Sequence, residues 1–75
     1  MSKVTVIVHL ETGKDVDIEL PTDISADAII RALYQALKLT GRCPDCIRCE
    51  NPIALLQGDM PLSFFGIRDG STIFL

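Results

Sequence analysis

Apolar and polar positions alternate near the start of the chain. In Val4-Thr5-Val6-Ile7-Val8-His9-Leu10, one face carries Val4, Val6, Val8 and Leu10, and the other carries Thr5, Ile7 and His9. β-Branched residues on a two-residue period predict a strand over 4–10. Glu11-Thr12-Gly13-Lys14 reads as a turn in which glycine can take positive φ. Asp15-Val16-Asp17-Ile18-Glu19-Leu20 alternates strictly, which predicts a half-buried strand with Val16, Ile18 and Leu20 inward. Two strands around a short glycine turn form an antiparallel hairpin. Pro21 ends the second strand because it has no N–H for a ladder.

The period then lengthens. Ile29, Ile30, Leu33, Ala36 and Leu37 form a helical stripe, and the helix is expected over about residues 26–39. Arg31, Tyr34, Gln35 and Lys38 fall mostly outside it. Ser25 supplies an N-cap, and Asp27 puts an anion in the first turn, where the helix dipole favours it. Ile24 and Ile29 have the spacing of a hydrophobic staple, and Gly41 is the expected stop. Ile47-Arg48-Cys49 and Ala54-Leu55-Leu56 are short strand candidates. A turn over 57–61, a compact apolar 3₁₀ piece over 62–67 and a turn over 68–71 lead to a last strand, Thr72-Ile73-Phe74-Leu75. Its parity puts Ile73 and Leu75 inward and Thr72 and Phe74 outward. A helix laid across one face of a mixed sheet of four to five strands is α+β architecture, here in a single domain over 1–75.

Composition narrows the function. The 75 residues are 48% hydrophobic and 23% charged, which suits one small folded domain and excludes a disordered chain. Ten acidic residues against seven basic ones give a net charge of −3, the wrong sign for a general grip on nucleic-acid phosphates. No apolar run approaches the ~18 residues of a membrane span. The N-terminal residues enter a strand pattern at once, without the pattern of a signal peptide, so a cytoplasmic protein is expected. The glycines are dispersed at turns and form no phosphate-cradling loop.

Cys43-Pro44-Asp45-Cys46-Ile47-Arg48-Cys49 is the sharpest local feature. Its two Cys-x-x-Cys steps suggest thiolate ligands, yet a closed zinc site needs four, and there is no second cluster. Strand parity also splits the set: Cys49 shares the inward face with Ile47, while Cys46 faces out. Ordinary thiols in a loop and a core are the expectation, with no cofactor. Metal binding by Cys43, Cys46 and Cys49, or a redox pair among them, stays open beside it. A cysteine nucleophile would need a base and an orienting group, and the single histidine lies in a mostly apolar strand, so no enzymatic activity is expected.

Several segments carry a resemblance. Thr12-Gly13-Lys14 in the hairpin, Pro21-Thr22-Asp23-Ile24-Ser25 before the helix, and above all the stretch from Leu62 to Ile73 resemble ubiquitin in order and spacing. Within the β-grasp, ubiquitin-like fold, the chain looks most like the YukD/EsaB family of small bacterial proteins of type VII (WXG100) secretion systems. The acidic-apolar second strand, the helix length and the ending from Leu62 through Gly66-Ile67 and Asp69-Gly70 to Leu75 carry that likeness. The resemblance implies a non-enzymatic accessory or regulatory component that acts by protein–protein docking. Ubiquitin-like modifiers and sulfur carriers end in Gly-Gly, which an activating enzyme adenylates. This sequence ends Ile73-Phe74-Leu75, so a conjugating or sulfur-carrying role is the disfavoured alternative, alongside a small cysteine-based metal or redox sensor.

Docking then falls to the face of the sheet away from the helix. Parity puts Ile7, Arg48 and Phe74 there, and an aromatic beside an arginine is the composition of a binding patch. These three are the expected partner-binding residues, with His9 a bystander. The expected partner is a protein, at the cytosolic face of a secretion apparatus or an assembly or regulatory factor.

Overall fold

The computed structural model describes residues 2–39 and 41–75. Among the described residues, five strands, one α-helix and one 3₁₀ helix follow in order: β1 (Lys3–His9), β2 (Asp15–Pro21), α1 (Ala26–Ala36), β3 (Ile47–Glu50), β4 (Ala54–Leu56), the 3₁₀ helix (Leu62–Phe65) and β5 (Thr72–Phe74). The sheet runs β2-β1-β5-β3-β4. β1 and β5 are parallel and the other pairs antiparallel, so the sheet is mixed as expected.

Strand parity decides what is buried. Val6 and Val8 of β1, Leu20 of β2, Ile47 and Cys49 of β3, Leu56 of β4 and Ile73 of β5 all enter one core. Ala26, Ile29, Ile30 and Leu33 of α1 meet them there, and Leu62 and Ile67 complete the cluster. Each strand thus turns alternate residues toward the helix and leaves the others on an open face.

The helix is shorter than its stripe suggests. It ends at Ala36 because Lys38 already takes the left-handed cap conformation, with φ 53°, and Gly41, itself at φ 89°, lies beyond the helix. The Leu39 N–H then donates to the Tyr34 carbonyl at 3.0 Å and the Lys38 N–H to the Gln35 carbonyl at 3.3 Å. This pair of bonds is a Schellman cap, which satisfies the last carbonyls three residues earlier than a glycine stop would. Ala36 is consequently exposed rather than part of the buried stripe, while Tyr34 packs half-buried against the core. At the other end Ser25 Oγ accepts from the Ala28 N–H at 3.3 Å, as an N-cap should. Asp27 does more than face the dipole. Its Oδ1 accepts from the Gly58 N–H at 2.9 Å and its own N–H donates to the Gly58 carbonyl, tying the 57–61 turn to the helix start.

Strand limits also move slightly. β1 runs one residue earlier than expected, over 3–9, and Pro21 closes β2 from within, paired with Lys3 at the sheet edge. The turn before β5 is held by polar groups. Gly70 N–H donates to the Thr5 carbonyl at 2.9 Å, and Thr5 N–H donates to Asp69 Oδ1 at 2.8 Å. Ser71 is fully buried, with its hydroxyl donating to the Asn51 carbonyl at 2.7 Å and accepting from the Arg68 N–H at 3.0 Å.

Candidate functional site

The outer face is ordered by the same registers. His9 pairs with Asp15 on β2 and with Phe74 on β5. Cys49 opposite Ile73 and Glu50 opposite Thr72 put Arg48 across from Phe74, and Arg48 pairs with Leu55 on β4. One row therefore crosses all five strands: Asp15, His9, Phe74, Arg48, Leu55.

Within the row the side chains interlock. The Arg48 guanidinium carbon lies 4.6 Å from the Phe74 ring centroid, a cation–π stack. The His9 ring meets Phe74 edge to face, with centroids 5.6 Å apart and planes at 61°. His9 Nδ1 is 2.6 Å from Asp15 Oδ1. An ionised carboxylate only accepts, so that nitrogen carries the proton and the ring orientation is fixed from the β2 side. Phe74 is thus gripped from both sides. It is half-buried, as is Ile7, which stands one register step along the face between Asp17 and Thr72.

Sequence parity placed Ile7, Arg48 and Phe74 on this face, and the structure brings Arg48 and Phe74 into contact. Ile7 shares the face without belonging to their stack. His9, expected as a bystander, is packed directly against Phe74. Asp15 and Leu55 were missed, although parity alone within Ala54-Leu55-Leu56 sends Leu55 outward, where it is 52% exposed.

The three cysteines have three different environments: Cys43 is half-buried, Cys46 exposed and Cys49 buried in the core. Among the described residues no three His, Cys, Asp or Glu side chains converge into a metal-binding group. Cys49 donates to the Pro52 carbonyl at 3.5 Å, and burial pushes its thiol pKa up. A shallow groove of about 240 Å³ opens between the hairpin turn and the helix end, lined by Leu10, Tyr34, Leu39 and Leu75 with Glu11, Thr12 and Lys38. It falls below the roughly 300–1,000 Å³ of ordinary small-molecule pockets. Among the described residues no helix is long and apolar enough to cross a membrane.

The fold is that of ubiquitin-like domains. No family model matches the chain, and a search of curated proteins found no match. Solved structures do match. The ubiquitin-like domain of Plasmodium falciparum Dsk2 superposes with a TM-score of 0.68 at 16% identity, covering 97% of this chain and 97% of that one. The C-terminal ubiquitin-like domain of mouse tubulin-specific chaperone e gives 0.70 at 16% identity, covering 96% and 82%. A computationally designed protein based on human erythrocytic ubiquitin gives 0.69 at 22% identity, covering 95% and 86%. These likenesses define a β-grasp domain of the ubiquitin-like class.

Proposed function

We propose that the chain is a non-enzymatic docking module, an accessory or regulatory component of a bacterial type VII secretion system that works in the cytoplasm and binds through its outer sheet face rather than by conjugation. The YukD/EsaB-like second strand and ending support the system, and the ubiquitin-like fold is consistent with it. The observation that carries the docking reading is the gripped, half-buried Phe74. An aromatic held between Arg48 and His9 on an open face offers a rigid anchor at low entropic cost.

The test is capture of partners from native lysate on the immobilised protein, identified by mass spectrometry, with Arg48→Ala run in parallel. Recovery of a secretion ATPase or membrane component, reduced by the variant, is the expected result. Capture of an activating or conjugating enzyme in its place would overturn the reading. Equal capture by both proteins would move the docking face elsewhere, to the helix side around Arg31, Tyr34 and Lys38.

A further inference from the structure

Four of the chain's ten acidic residues lie on that same face. Asp15, Asp17 and Glu19 project there from β2 and Glu50 from β3, against Lys3 and Arg48. Most of these charges already have a neighbour that answers them. Lys3 Nζ lies 3.7 Å from Glu19, His9 holds Asp15, and the Arg48 guanidinium is spread over Phe74. Asp17 and Glu50 differ: among the described residues neither has an ion pair, and of the two only Asp17 has an aliphatic cross-strand neighbour, Ile7, where Glu50 faces Thr72. Cross-strand neighbours stand about 5 Å apart at Cβ, so a single ligand side chain cannot ignore either one.

We infer that the partner of this face is a Lys- or Arg-rich protein segment carrying an aliphatic side chain, with a cation over Asp17 and the aliphatic group on Ile7 and Phe74. The inference rests on the docking reading and adds the chemistry of the ligand. An acidic segment would bring like charges against Asp17 at one end of its row and Glu50 at the other, which disfavours binding. Phosphate-rich surfaces meet the same repulsion. A basic segment with no apolar group would answer Asp17 and leave the Phe74 platform uncovered.

The experiment titrates ¹⁵N-labelled protein with three synthetic peptides of equal length, built from Lys-Leu-Lys, Lys-Ser-Lys and Glu-Leu-Glu repeats. The Lys-Leu-Lys peptide alone is expected to shift the amides of Ile7, Asp17 and Phe74. That binding should disappear as ionic strength rises from about 0.01 M to about 1 M, where the Debye length shrinks roughly tenfold. Asp17→Lys should weaken it by about fivefold, the scale of one surface ion pair. Asp45→Lys makes the same change of charge beside Arg31 on the helix side, and should weaken it by less than about twofold. Equal losses in the two variants would mean that only net charge matters and would overturn the site. Equal binding of the Lys-Ser-Lys peptide would remove the apolar anchor. Absence of Lys-Leu-Lys binding would overturn the inference outright. Shifts at Ile7 and Phe74 with Glu-Leu-Glu would overturn the charge assignment while leaving the docking face intact. Shifts confined to the helix around Arg31 and Tyr34 would remove the docking face itself.

Discussion

Replacing Phe74 with Ala tests the fold and the candidate site together, because the ring is half-buried and has two specific partners. The Arg48 stack at 4.6 Å is worth about 0.5–1 kcal/mol near the surface. The edge-to-face contact with His9 at 5.6 Å adds about 0.5–1.5 kcal/mol. Losing half of a buried phenylalanine's apolar area removes about 1 kcal/mol more. There is no cavity penalty, since the position lies on the open side of the sheet. The expected cost is therefore about 2–3.5 kcal/mol, against about 4–11 kcal/mol for a chain of this length. The variant should fold, with a midpoint lowered by about 4–8 °C per kcal/mol. Urea titration followed by circular dichroism reads the cost directly. Phe74→Leu retains apolar area and loses both ring contacts, so it should cost about 1–2.5 kcal/mol. A double-mutant cycle with Arg48→Ala should return a coupling of about 0.5–1 kcal/mol. Zero coupling, or a Phe74→Ala cost below about 0.5 kcal/mol, would refute the stack. Complete unfolding would refute the placement of Phe74 on an outer face.

Leu33 lies mid-helix with 3% of its surface exposed, so Leu33→Ala should cost about 2–5 kcal/mol in the same titration. Ser71→Ala removes a fully buried hydroxyl that bonds both the Arg68 N–H and the Asn51 carbonyl, and should cost about 1–3 kcal/mol. Alkylation followed by mass spectrometry should label Cys46 first, Cys43 next and Cys49 last. Cys49→Ser should cost stability by burying a hydroxyl, Cys46→Ser should cost little, and stoichiometric zinc in native protein, lost on replacing all three cysteines, would overturn the thiol reading. Because burial raises the Cys49 pKa, its neutral thiol favours the fold below the ordinary thiol value of about 8.5, and that contribution should fall in urea titrations as pH climbs above it.

The strands and their faces were legible because parity is a strong signal wherever one side is buried. Val6, Val8, Ile73 and Cys49 each went where alternation sent them. The helix start was legible through Ser25, whose cap is a local contact between residues three apart. The helix end was not. Gly41 does take positive φ, but outside the helix, because Lys38 takes the left-handed cap position first and the last turn's carbonyls are met there. The site was half legible. Outward parity gave Ile7, Arg48 and Phe74, while the interlocking of His9, Phe74 and Arg48 depends on which strands are neighbours. That β5 would lie between β1 and β3, parallel to one and antiparallel to the other, cannot be read from periodicity within any single strand.

What assembles the row is therefore a matter of register, and the registers are held outside the core. A one-residue slip of β5 would turn Phe74 inward and Ile73 outward. β5 has only three residues, too few to fix its own alignment by apolar packing alone. The turn before it supplies the missing specification. Gly70 and Asp69 bond both backbone groups of Thr5, which sets β5 against β1 so that Phe74 meets His9. Ser71 bonds the Asn51 carbonyl at the end of β3, which sets β5 against β3 so that Arg48 meets Phe74. Arg68 Nη2 reaches Asn51 Oδ1 at 3.0 Å and ties the same two segments a second time. The polar stretch Arg68-Asp69-Gly70-Ser71 thus does for the outer face what the apolar stripe of α1 does for the inner one. It converts two independent strand pairings into one continuous surface.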